Sequence, residues 1–293
     1  MSNNLKDTLM QTLNDNPKIT TLLITITAVE SLVLLVAGVG LLLFPSIIRP
    51  LWPWGLSPFN ALLLGAIYSA SLVTTAIVVY VKRWAPARVA VPMIFIFTAI
   101  ILFVCLIYID RFDFQYWGTW LWFFLYIIIP ANAAYHIWLY RNQKPVNPFP
   151  LSTLWRGIFL IPTILLGLYG IGLLVAPDSL SSFWPWQIDD FHGRMYSVLY
   201  ITPASGALLL FGAAASIELL TIGLTQIVGG GASILGLVII DNQVNKIDWS
   251  AFGTWLWIGS FAIILLTGIG LVWQSRVRSR SETSSATADS TYD

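Results

Sequence analysis

Eight stretches of this chain run for about twenty residues with almost no charge, and they constrain its fold more than anything else in the sequence. They lie at about 20–44, 59–81, 88–109, 116–140, 155–176, 192–212, 218–240 and 251–274. A bilayer's hydrocarbon core is about 30 Å thick, and about 20 apolar residues cross it as a helix. No water is available there, so backbone groups must be satisfied within the segment, which makes these helices rather than strands. The expected fold class is all-α: a polytopic membrane protein with eight transmembrane helices. The turn between the sixth and seventh helices is the least marked, with only "GAAASIE" separating them.

Composition agrees. Of 293 residues, 57% are hydrophobic and 10% charged, with mean hydropathy +0.78; a soluble domain carries roughly 25% charged residues. A net charge of +1 leaves no basic surface for nucleic acid. The single cysteine, Cys105, rules out an internal disulfide and a cysteine-based metal cluster. The first apolar run, 21–44, is too long for a signal-peptide core and lacks a cleavage site, so it reads as a retained helix.

Lys and Arg are unevenly divided between the two sides. The N-terminal side has eleven: Lys6, Lys18, Lys82, Arg83, Arg88, Arg141, Lys144, Arg156, Arg276, Arg278 and Arg280. The other side has four: Arg49, Arg111, Arg194 and Lys246. The positive-inside rule then puts both termini in the cytoplasm of a multi-pass plasma-membrane protein. Seven aspartates make the outer face acidic: Asp110, Asp113, Asp178, Asp189, Asp190, Asp241 and Asp248.

The chain also repeats itself. "GVGLLLFP" at 38–45 matches "GIGLLVAP" at 170–177, and Trp-Pro-Trp at 52–54 returns at 184–186, both at an offset of 132. "FDFQYWGTWLW" at 112–122 matches "IDWSAFGTWLW" at 247–257 at an offset of 135. Each repeat holds four helices, an even number, so the two run in parallel, related by a pseudo-twofold axis along the membrane normal. The expected organisation is a cytoplasmic segment 1–19, repeat one at 20–140, a polar linker at 141–154, repeat two at 155–274 and a low-complexity, disordered tail at 275–293. The same offset aligns Glu218 with Pro86, at the cytoplasmic start of the seventh helix. There a first-turn carboxylate favours the helix dipole.

Ten of fourteen tryptophans fall on the outer side, leaving Trp84, Trp138, Trp155 and Trp273 near the inner side. Indoles favour the interface, but a belt alone is more even. The first outer loop holds Pro45, Pro50, Pro53 and Pro58 and cannot be a continuous helix. Its Trp rings either dip into lipid or cap the bundle, and the face could dock a membrane-protein partner, a second copy or a pigment.

Two constellations could carry chemistry. Glu30 lies about eleven residues into the first helix, about 16 Å deep at 1.5 Å per residue, near the midplane. An unpaired carboxylate there is costly, so it is protonated, paired or wetted. Asn132 and His136 share a face of helix four, while helix seven carries Gln226 and the triplet Gly229, Gly230 and Gly231. These compose a midplane polar site for a proton or small cation, with the glycines permitting a broken helix or, alternatively, a packing notch. The second constellation is the outer mouth "QIDDFHGR", with Asp189, Asp190, His192 and Arg194, where repeat one has no ionisable residue. It suits a cation, a phosphate or proton transfer, or simply a helix cap.

His136 and His192 lie on opposite sides and cannot share a metal or haem. No nucleotide loop or catalytic triad is present, so neither cofactor nor catalytic residue is assigned. The segment "LWPWGLSPFNALLLGAIYSA" at 51–70 resembles a Trp-Pro-Trp-x-Leu-x-Pro segment of uncharacterised bacterial multi-pass membrane proteins. In that pattern an Arg follows several residues later. Arg194 occupies this position in repeat two, and Leu62 departs from it in repeat one. The resemblance implies no activity. The expected function is a transporter or channel-like protein for a proton or small solute, sited between the repeats; the alternative is a structural or accessory subunit using the Trp-rich outer face.

Overall fold

The computed structural model describes residues 16–145, 152–212 and 214–289. Residues 1–15, residues 146–151 of the linker, residue 213 and residues 290–293 lie outside the described residues. The long helices are α1 (Thr21–Leu43), α2 (Pro58–Val81), α3 (Trp84–Ile107), α4 (Trp117–Leu139) and α5 (Thr153–Val175). They are followed by α6 (Asp190–Tyr196), α7 (Val198–Gly212), α8 (Ser216–Val244) and α9 (Phe252–Asp289). Among the described residues no β-strand forms beyond an isolated bridge between Lys18 and Arg83. Seven of the helices are long and apolar enough to cross a membrane, which makes this an integral membrane protein.

The sixth apolar segment is two helices rather than one. The Ser197 hydroxyl donates back to the Arg194 carbonyl at 2.6 Å, competing with the helical ladder. Pro203, inside α7, has no N–H to offer the turn before it. α9 does the opposite. No glycine or proline follows Gly270, so the helix continues through the segment that composition alone reads as a disordered tail, as far as Asp289.

Side-chain contacts sort the loops into two ends. At one end, Trp84 N donates to Pro17 O at 2.9 Å and Ser275 Oγ to Ser216 O at 2.8 Å. His136 Nδ1–H donates to the Asn132 carbonyl at 2.8 Å, so Nε2 accepts from the Thr20 hydroxyl at 2.6 Å. At the other end, Tyr116 OH donates to Leu51 O at 2.8 Å and Trp186 Nε1 to Asn60 Oδ1 at 2.8 Å. α6 and α7 together run from this tryptophan end to the first.

Packing crosses between the halves of the chain. α2 lies against α8, and α7 against α3; within each half α1 packs on α2, α5 on α7, α3 on α4 and α8 on α9. The repeated glycines do matching work. A Cβ on Gly38 would come within 2.8 Å of Ser69 N, and one on Gly170 within 2.8 Å of the Tyr200 Cβ. Close approach of the first two helices of each half requires glycine there.

Glu218, fully buried in the first turn of α8, accepts from Ala215 N at 2.9 Å and from Arg88 Nη2 of α3 at 2.7 Å. Removing one partner of such a pair leaves a buried charge uncompensated, at a cost of about 3–5 kcal/mol. Glu218→Ala and Arg88→Ala should each lower the detergent-solubilised protein's unfolding midpoint by a comparable amount. In the double variant the two losses should add to clearly less than their sum, measured by thermal unfolding.

Candidate functional site

At mid-depth the helices leave a cavity of about 260 Å³, on the order of twenty times the ~10–15 Å³ that one water needs. α1 supplies Glu30, Val33, Leu34 and Ala37, the last inside a π-helical turn at Leu35–Val39. α2 contributes a polar stripe, Tyr68, Ser71, Thr74 and Thr75, at helical spacing. Trp52 and Trp122 form part of the outer wall, and α3, α7, α8 and α9 complete the enclosure.

Its polar groups mostly satisfy one another. The hydroxyls of Tyr68 and Tyr126 lie 3.0 Å apart, and those of Thr74 and Thr225 2.6 Å apart. Gln226 Oε1 accepts from Thr267 at 3.1 Å. Glu30 differs: it is 8% exposed, lines the cavity, and has no hydrogen bond or ion pair to any described residue.

The midplane constellation is therefore only partly assembled. Glu30, Gln226 and Gly229 share the cavity. His136 and Asn132 do not line it; His136 ties α4 to the cap of α1, and the Asn132 side-chain oxygen lacks a partner. Of the two expectations for the glycine triplet, a broken helix and a packing notch, the broken helix does not form. α8 passes unbroken through Gly229–Gly231, and a Cβ on Gly230 would stand 2.7 Å from Phe261 O, so this glycine seats α8 against α9. Gly231 has open space around it. Sequence reasoning missed the Tyr68–Tyr126 pair and the α2 polar stripe, though the i, i+3, i+6, i+7 spacing of the stripe is visible in an otherwise apolar helix.

A second, smaller cavity of about 40 Å³ lies between α5, α7, α8 and α9. Pro162, Leu166, Tyr200 and Ile264 line it; the repeat offsets relate these to Glu30, Leu34, Tyr68 and Ile129 of the first. Gln226 borders both. The counterpart of the acid is thus a proline, and the space beside it is smaller.

The outer mouth is a set of clamps. Asp189 caps α6 and accepts from His192 N at 3.0 Å, from His192 Nδ1 at 2.6 Å and from Arg111. Partial burial would raise the Asp189 pKa, but these hydrogen bonds outweigh it and hold the carboxyl at about 2. Asp190 is raised by a hydrogen bond to the Asp178 carboxyl. Arg194 spans from Tyr108 OH at 3.1 Å to Leu174 O at 2.7 Å. Among the described residues no three His, Cys, Asp or Glu side chains gather where they could hold a metal ion.

The Trp-Pro-Trp indoles cap the bundle. Trp54 packs edge-on against Phe191 at 5.3 Å, and Trp186 stacks on Phe59 at 5.2 Å. Phe59 and Phe191 are themselves 132 residues apart, so each half's indole sits on the other half's ring. Trp186 finds Asn60; at the equivalent place, Trp54 Nε1 and His192 Nε2 both lack partners among the described residues. No protein-family model, curated protein or solved structure matches the chain.

Two outcomes follow. Gly230→Val should destabilise the protein severely, because backbone rather than a side-chain tip is in the way, whereas Gly231→Ala should be neutral or stabilising by about 0.5–1 kcal/mol; unfolding midpoints separate them. The depressed Asp189 pKa contributes stability that is full above pH 3.8 and lost as pH falls towards 2. With the side chain 43% exposed, screening reduces the effect to about 1 kcal/mol. Asp189→Asn should remove that acid-side slope from a pH-stability profile.

Proposed function

We propose that this is a transporter-type plasma-membrane protein whose solute site is the larger cavity. Eight spans, with α6 and α7 together forming one, make two parallel four-helix repeats with both termini cytoplasmic. The matched pairings α2 with α8 and α7 with α3 support this layout, as do the equivalent glycine notches and the division of eleven basic residues against four. Membership of the uncharacterised multi-pass proteins sharing the Trp-Pro-Trp-x-Leu-x-Pro segment belongs to the same proposal and adds no activity to it.

One observation carries the reading: Glu30 is an unpartnered, buried carboxylate on the wall of an open cavity. Scaffold packing would fill that volume and pair that acid. The smaller counterpart around Pro162, which carries no acid, supports the same reading. The accessory-subunit reading draws on one feature, the exposed rim indoles Trp117, Trp120 and Trp255.

Cells expressing the protein, compared with vector-only cells across a panel of small apolar solutes, should differ several-fold in accumulating at least one. Glu30→Gln and the cavity-filling Ala37→Phe should both abolish that difference. A panel indistinguishable from vector-only cells, together with a stoichiometric membrane partner on purification, would favour the accessory role instead.

A further inference from the structure

We infer that the cavity takes a small lipophilic cation, an ammonium-type group on an apolar body, which enters sideways from the bilayer and displaces the proton of Glu30. This rests on the reading of the cavity as the solute site.

Charge selects the class. Among the described residues Glu30 is the one carboxylate on the walls, and no Lys, Arg or His lines them. The titratable groups facing it are Tyr68 from α2 and Tyr126 from α4; α3, α7, α8 and α9 contribute none. An anion would find no base to compensate its charge. A neutral polar solute would find two hydroxyl pairs, Tyr68–Tyr126 and Thr74–Thr225, already spent on each other; the Thr202 hydroxyl and the Trp52 indole N–H, which lack partners among the described residues, offer it contacts but no charge. A cation finds an acid that has no other partner, and desolvation makes that pairing strong. The walls also carry the aromatic side chains of Trp52, Phe97, Trp122 and Tyr126, a residue type that attracts cations and covers an apolar body.

Shape selects the route. Leu121 and Trp117 of α4 line the cavity and are also 44% and 64% exposed on the bundle's lipid-facing side. The cavity therefore comes to the surface beside the N-terminal half of α4. A molecule with an apolar body is concentrated in the bilayer, which this face of α4 adjoins. Binding balances simply: the Glu30 O–H bond breaks, the proton leaves to water, and the carboxylate pairs with the arriving cation, one proton per cation.

The test uses two probes of equal shape, benzyltrimethylammonium and its neutral isostere neopentylbenzene, with purified full-length protein in detergent. Binding is followed by intrinsic tryptophan fluorescence and by proton release in weak buffer. The cation should bind wild type more tightly as pH rises, by up to about tenfold per unit, and release one proton. Glu30→Gln should weaken it at least tenfold while binding neopentylbenzene as wild type does, which also certifies its fold. If neopentylbenzene binds wild type and Ala37→Phe blocks it, but the cation binds no better or is insensitive to Glu30→Gln, the cation assignment falls and the cavity reading stands. If neither probe binds, both fall.

Discussion

Two indoles placed on the other half's rings hold the tryptophan-rich end of this bundle together. Trp54 rests on Phe191 and Trp186 on Phe59, and Trp52, Trp54 and Trp122 close into one cluster with centroids 4.9–5.8 Å apart. Such aromatic pairs add about 0.5–1.5 kcal/mol each beyond area burial. In hydrocarbon, where apolar surface is not driven together by water, this close packing must do the joining. At the opposite end Arg88 and Glu218 link the halves by charge. Between these two clamps the helices meet through glycine notches, and the space they do not fill is the cavity.

The sequence made the helices legible because the bilayer leaves the backbone no alternative. Expected segments at 59–81 and 116–140 coincide with Pro58–Val81 and Trp117–Leu139. Glu218 at the start of α8 was legible too, because the repeat offset fixed its depth. The split at Ser197 was not, since the apolar run continues across it and only the Ser197 hydroxyl and Pro203 mark the fault. The tryptophans' number and side were readable. Their partners were not, because Phe59 and Phe191 look like any other apolar residues until the halves are docked.

Glu30 stood out in the sequence as an acid without a loop. What the sequence could not supply was volume. Asn132 and His136 share its helix-period logic yet stand apart from the cavity, whereas Tyr68 and Tyr126, unremarked in an aromatic-rich chain, stand on its wall. Depth along a helix is a one-dimensional quantity, and a site needs the rotation of every helix around it. The two halves agree at the close approach of their first two helices, at Gly38 and Gly170, and part company at Glu30 and Pro162.

Cys105 gives the fold a built-in reporter. It is the chain's single thiol, fully buried, and its sulfur accepts the Trp122 indole N–H at 3.3 Å. Trp122 is at once part of the cavity wall and part of the outer aromatic cluster. A water-soluble alkylating reagent can therefore reach the sulfur only after the packing around it has opened. The rate at which that lone thiol is modified measures, in time rather than in distance, how often the bundle opens there.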